Sequence, residues 1–83
     1  MLAQLTLAMG PRTVVAVLGK NFEWRSDDLL TQTYLNSCHG PVPDESPSPG
    51  PLGYQQVQRA AAAVREAGWD ASVYMPALNQ SAA

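Results

Sequence analysis

Apolar residues recur at helical spacing in one stretch of this chain and alternate with polar ones in several others. Val57, Ala60, Ala61, Val64 and Ala67 fall at i, i+3, i+4, i+7 and i+10, which is one face of an α-helix. Tyr54 extends that stripe backwards, while Gln55, Gln58, Arg59, Arg65 and Glu66 fall away from it. Gly68 stands where a left-handed stop residue is expected, and Trp69 where the hydrophobic contact of such a stop falls. Residues 71–75 then alternate Ala71, Val73 and Met75 against Ser72 and Tyr74, a short strand ended by Pro76.

Upstream, residues 2–9 place Leu5, Leu7 and Met9 on one side and Gln4, Thr6 and Ala8 on the other, the period of a half-buried strand. Gly10-Pro11-Arg12 is turn chemistry, with Pro11 expected at the second turn position. Thr13–Leu18 is β-branched and apolar on both faces, as in a central strand covered on both sides or paired on both edges. Gly19-Lys20-Asn21 marks another turn, and Phe22–Arg25 a third strand in which Phe22 and Trp24 share a face. Residues 26–37 read two ways. Ser26 could cap a helix whose first turn holds Asp27 and Asp28, but Leu29, Leu30, Tyr34 and Leu35 spread over a wide arc, and the Thr and Tyr content leans to a strand.

The expected fold is α+β: a small antiparallel β-meander of three or four strands, one amphipathic helix packed on it, and a final C-terminal strand. A return of that strand beside the first would cover an open edge. Residues 39–53 carry five of the seven prolines and read as an extended connector from sheet to helix. Pro51 is expected at the first helical position, and the tail from residue 77 as frayed.

Length and composition narrow the classes. Eighty-three residues make one domain, and a chain this short buries only about 60–65% of its unfolded surface. The hydrophobic share of 46% includes twelve alanines, so the core is modest. No apolar run is long enough to span a bilayer. The N-terminus lacks a basic region and places Arg12 within the candidate apolar stretch. A cytoplasmic product without membrane contact is expected. A lone cysteine, Cys38, allows no intrachain disulfide and fits a reducing compartment. Net charge of −2 is too small for a nucleic-acid surface, which needs clustered Lys and Arg. The absence of isoleucine, with one lysine against four arginines, fits a GC-rich bacterial or phage genome.

Little in the chain carries catalytic chemistry. Cys38-His39 supplies a thiol and a base, but adjacent side chains diverge and no second histidine exists. One Cys and one His cannot complete a zinc site. The glycines do not form a phosphate-cradling pattern. No cofactor or metal is expected. Phe22-Glu23-Trp24-Arg25 is the patch with binding character, since Trp, Tyr and Arg are enriched among interface hot spots.

The stretch GPLGYQQVQRAAAAVREAGWDASVYM resembles the second half of a SPOR domain, a small α+β module that binds denuded peptidoglycan. Gly50-Pro51, the helix 54–67, Gly68 and residues 71–74 carry the likeness, over about a third of the chain. The first half has no matching βα repeat. The resemblance implies a cell-wall-binding module. Against it stand two other classes. One is a thiol-dependent enzyme using Cys38. The other, which size and the lack of a catalytic constellation favour, is a non-enzymatic protein-binding module: an accessory subunit, an adaptor or a phage-type stoichiometric inhibitor of a host complex. Its expected partner-binding residues are Trp24, Arg25, Asp27, Asp28, Asp44 and Glu45. The partner would be another protein or complex and not nucleic acid, with homodimerisation compatible with the small core.

Overall fold

The computed structural model describes residues 1–38 and 52–76. Its elements are β1 (Ala3–Met9), β2 (Arg12–Leu18), β3 (Trp24–Ser26), α1 (Leu29–Ser37), α2 (Leu52–Glu66) and β4 (Asp70–Tyr74). The strands form one antiparallel sheet in the order β3-β2-β1-β4. The chain is therefore α+β, with the last strand returning beside the first.

Strand register explains the core. Ala3 lies opposite Leu18, Leu5 opposite Ala16 and Leu7 opposite Val14, so large and small side chains alternate across the inward face. Trp24 joins them from β3, Leu35 from α1, and Val57, Ala60, Ala61 and Val64 from α2. The paired alanines let α2 lie close to the sheet. The other face of the sheet is open: Val15 is 44% exposed, and Arg25 and Tyr74 also face outward. The apolar character of β2 on both faces thus reflects pairing on both edges rather than cover on both sides.

Turns and helix ends follow local chemistry. Gly10 has φ 59, so it takes the second position of the β1–β2 turn and Pro11 the third. That corrects the expected placement of Pro11. A positive φ at Gly followed by Pro is the pattern of a type II′ hairpin turn. At the end of α2, Gly68 has φ 101, its N–H donates to Arg65 C=O, and Trp69 N–H donates to Val64 C=O. Those two bonds are a Schellman cap, as the glycine stop implied. Tyr54 departs from the stripe and is half exposed. Phe22 lies outside β3, in a turn with φ 63 closed by Phe22 N–H to Gly19 C=O at 2.9 Å. It does not share a strand face with Trp24. Leu52 and Gly53, expected in the connector, instead open α2. Pro51 and the rest of the connector, residues 39–51, lie outside the described residues, as does the tail from 77.

The main correction concerns residues 29–37, which are a helix and not a strand. Asp28 is the N-cap, its carboxylate accepting Thr31 N–H at 3.2 Å and the Thr31 hydroxyl. Nine residues rarely hold a helix alone; tertiary bonds do it here. Asn36 Oδ1 accepts Trp24 N–H at 2.8 Å, Asn36 Nδ2 donates to Trp24 C=O at 3.0 Å, and Gln32 Oε1 accepts Ser26 N–H at 2.9 Å. One helical turn apart, the two amides take the place of a neighbouring strand along the β3 edge. The apolar residues gave no helical stripe because only Leu35 of α1 is buried.

Candidate functional site

A groove of about 280 Å³ opens on the helical side of the sheet, between the first turns of α1 and the last turn of α2. Leu7 from β1 and Val64 from α2, both buried, form its floor. Leu30 and Tyr34 rise on the α1 side, Ala67 and Trp69 on the α2 side. The β1–β2 turn brings Arg12 to its rim. Tyr34 Oη donates across to Ala63 C=O at 3.4 Å, a long contact that tethers the two helices.

Arg12 is held from two directions. Its Nη2 lies 3.2 Å from Asp28 Oδ2, and its guanidinium sits 5.6 Å from the Trp69 ring centroid, within cation–π range. Asp28 is in turn fixed by the cap: the Thr31 hydroxyl bond, above all, holds its carboxyl below the usual aspartate range. Partial desolvation opposes that effect, while the Thr31 N–H and the Arg12 charge add to it. Ser26 Oγ accepts Asp28 N–H at 3.2 Å and donates to Val15 C=O at 2.8 Å, anchoring the cap to the sheet. The rim therefore carries both charges in fixed positions over an apolar floor.

Around this groove α1 turns its apolar residues outward. Leu29 is 69% exposed, Leu30 81% and Tyr34 43%. A soluble helix ordinarily buries such a set. Leu30 and Tyr34, at i and i+4, share one helix face.

The sequence-derived binding residues scatter. Trp24 is 1% exposed and lies in the core, where its Nε1–H meets no acceptor among the described residues. It therefore presents no surface to a partner. Arg25 projects on the open sheet face, 3.9 Å from exposed Glu23. Asp27 is exposed before α1, and Asp28 is the helix cap paired to Arg12. Asp44 and Glu45 lie outside the described residues. Of the four that are described, Asp28 alone lines the groove. Sequence reasoning missed Arg12, Leu30 and Tyr34, and it read Trp69 only as the closure of α2.

Cys38 sits at the C-cap of α1, with its thiol 3.1 Å from Tyr34 C=O. Burial pushes its pKa up, more than its hydrogen bonds to Tyr34 and Ser37 lower it. A helix C-terminus also disfavours a thiolate. His39 lies outside the described residues. Among the described residues no group of three or more His, Cys, Asp or Glu could hold a metal ion, and no helix is long and apolar enough to cross a membrane.

Compared with protein families, with curated proteins and with solved structures, the chain matches none.

Proposed function

We propose that this chain is a small non-enzymatic protein-binding module acting in the cytoplasm, an accessory subunit, adaptor or stoichiometric inhibitor of a larger complex. Its partner is taken at the groove and the outer face of α1. One observation carries this reading: a nine-residue helix leaves Leu29, Leu30 and Tyr34 exposed beside a groove with an apolar floor. Exposed apolar area of that kind, rimmed by charge, is the usual make-up of a protein–protein contact. Trp69, Tyr34 and Arg12 are of the types enriched at hot spots. The groove is slightly smaller than the usual small-molecule cleft of roughly 300–1,000 Å³, and suits an apolar anchor side chain.

The peptidoglycan-binding alternative loses support from the topology, since β1, β2 and β3 run as a meander with no helix between them. The thiol-enzyme alternative loses support from the upward shift at Cys38.

The test is affinity capture from host lysate with three baits: wild type, Leu30→Asp and Arg25→Ala. Wild type and Arg25→Ala should retain the same protein at near-stoichiometric yield, and Leu30→Asp should lose it without a change in melting temperature. Equal retention by all three would remove the binding surface from α1. Retention of nothing by any bait would sink the module reading itself.

A further inference from the structure

The two edges of the sheet are finished differently. Along β3 the outward N–H and C=O of Trp24 go to Asn36 and the N–H of Ser26 to Gln32, so an incoming strand finds those groups taken. Along β4, Arg65 Nη2 donates to Ala71 C=O at 2.8 Å from outside the sheet. That contact fixes the orientation of the strand. In an antiparallel strand the N–H and C=O of one residue point the same way, and alternate residues point opposite ways. Ala71 and Val73 therefore face outward, while Asp70, Ser72 and Tyr74 face Ala8, Thr6 and Gln4 of β1. Among the described residues nothing bonds the N–H of Ala71 or either backbone group of Val73. A five-residue edge without proline or lysine is a template for another strand.

We propose that β4 pairs with β4 of a second copy of this chain, antiparallel, about a two-fold axis at Ser72. The two four-stranded sheets become one. In that register Ala71 of each copy faces Val73 of the other, and each such pair exchanges two N–H to C=O bonds. The Ala71 carbonyl keeps Arg65 as well, because it has two lone pairs. Charge selects the direction: antiparallel pairing sets each Asp70 opposite a Tyr74, whereas a parallel arrangement would place the two Asp70 carboxylates side by side. Apolar cover supports it too. Ala71, Val73 and Met75 pack only partly against the core, and the second strand covers the side they leave open. This contact lies on the strand edge away from β1, and it stands or falls independently of the proposed α1 surface.

The test is sedimentation velocity with engineered cross-linking. Wild type should sediment as a dimer of the 8.9 kDa chain. Val73→Pro removes an outward N–H that an edge strand can spare, and should weaken self-association at least tenfold, or about 1.4 kcal/mol. Val73→Lys serves if circular dichroism shows the proline variant unfolded. At the two-fold axis the Ser72 pair is non-hydrogen-bonded, with Cα atoms about 4.5 Å apart, inside the disulfide range. In a Cys38→Ser background Ser72→Cys should therefore form a covalent dimer on mild oxidation, and Thr13→Cys, on β2 of the open face, should not. A monomeric wild type overturns the proposal, as does a dimer indifferent to both Val73 variants. A monomer that dimerises only after removal of residues 77–83 also overturns it, by making the chain's own tail the occupant.

Discussion

Asn36 is the residue on which the helix–sheet junction turns, and its replacement by alanine has a calculable effect. The side chain makes two bonds to the backbone of Trp24, at 2.8 and 3.0 Å. Each is worth about 0.5–1.5 kcal/mol net, so Asn36→Ala should cost about 1–3 kcal/mol. Alanine is the better helix former by roughly half a kcal/mol, which opposes the loss without cancelling it. For a chain of this length, whose whole stability is on the order of 4–12 kcal/mol, the loss is a large fraction. At about 4–8 °C per kcal/mol, a 2 kcal/mol loss lowers Tm by roughly 8–16 °C. Urea unfolding followed by tryptophan fluorescence reads it directly, with exposed Thr33→Ala on the same helix as control. Asn36→Asp sharpens the test. At neutral pH its carboxylate still accepts from Trp24 N–H but faces the Trp24 carbonyl without a proton. The folded state then favours the protonated form and raises the pKa of the new group. Its stabilising contribution is present below the unfolded pKa and lost as pH rises through the folded one, so the variant should approach wild type in acid. An Asn36→Ala protein within about 0.5 kcal/mol of wild type would refute the idea that amide side chains finish the β3 edge.

Three further outcomes are expected. Gly68→Ala should destabilise by about 1–2 kcal/mol in chemical denaturation, because φ 101 is costly for any side chain. Gly19→Ala, with no positive φ and only an ordinary van der Waals contact between its new Cβ and the Glu23 carbonyl oxygen at 3.7 Å, should cost well under that. The Asp28 carboxyl is held below its ordinary value of 3.8, chiefly by the Thr31 hydroxyl. Its contribution is therefore present above that value and lost as pH falls through the lowered one. The Tm gap between wild type and Asp28→Asn should close in acid, and a gap constant with pH would contradict the cap geometry. Cys38 should react with iodoacetamide at neutral pH no faster than free cysteine, given its raised pKa; a faster rate would revive the thiol-enzyme reading.

The parts of the fold that were legible in the sequence are those where burial and period coincide. Leu5 and Leu7 alternate inward, and Val57, Ala60, Ala61 and Val64 keep one helical face. Gly68 marks its stop because only a residue without a side chain sits comfortably at that φ. Residues 29–37 were opaque for the converse reason. Their apolar residues do not report burial, since three of them face water, and the helix is specified by polar groups: Asp28 at the cap, Gln32 and Asn36 on the β3 edge. A search for a capping residue followed by amides four apart would have found it. The groove escaped for a related reason. Arg12, Asp28 and Trp69 come from three distant points in the chain, and only the Gly10 turn and the Gly68 cap bring them together. Phe22-Glu23-Trp24-Arg25 looked like one patch, yet a left-handed Phe22 and a buried Trp24 divide it.

The measurement that bears most directly on the binding surface is site-specific photo-cross-linking in the living host. A photoreactive residue replaces Leu30, which is 81% exposed beside the groove, or Val15, which is exposed on the open sheet face. Both substitutions leave the core untouched. Adducts at position 30 with one recurring protein, and none at position 15, are the predicted result. Adducts at position 15 with none at position 30 would contradict the account and move the partner to the other side of the sheet.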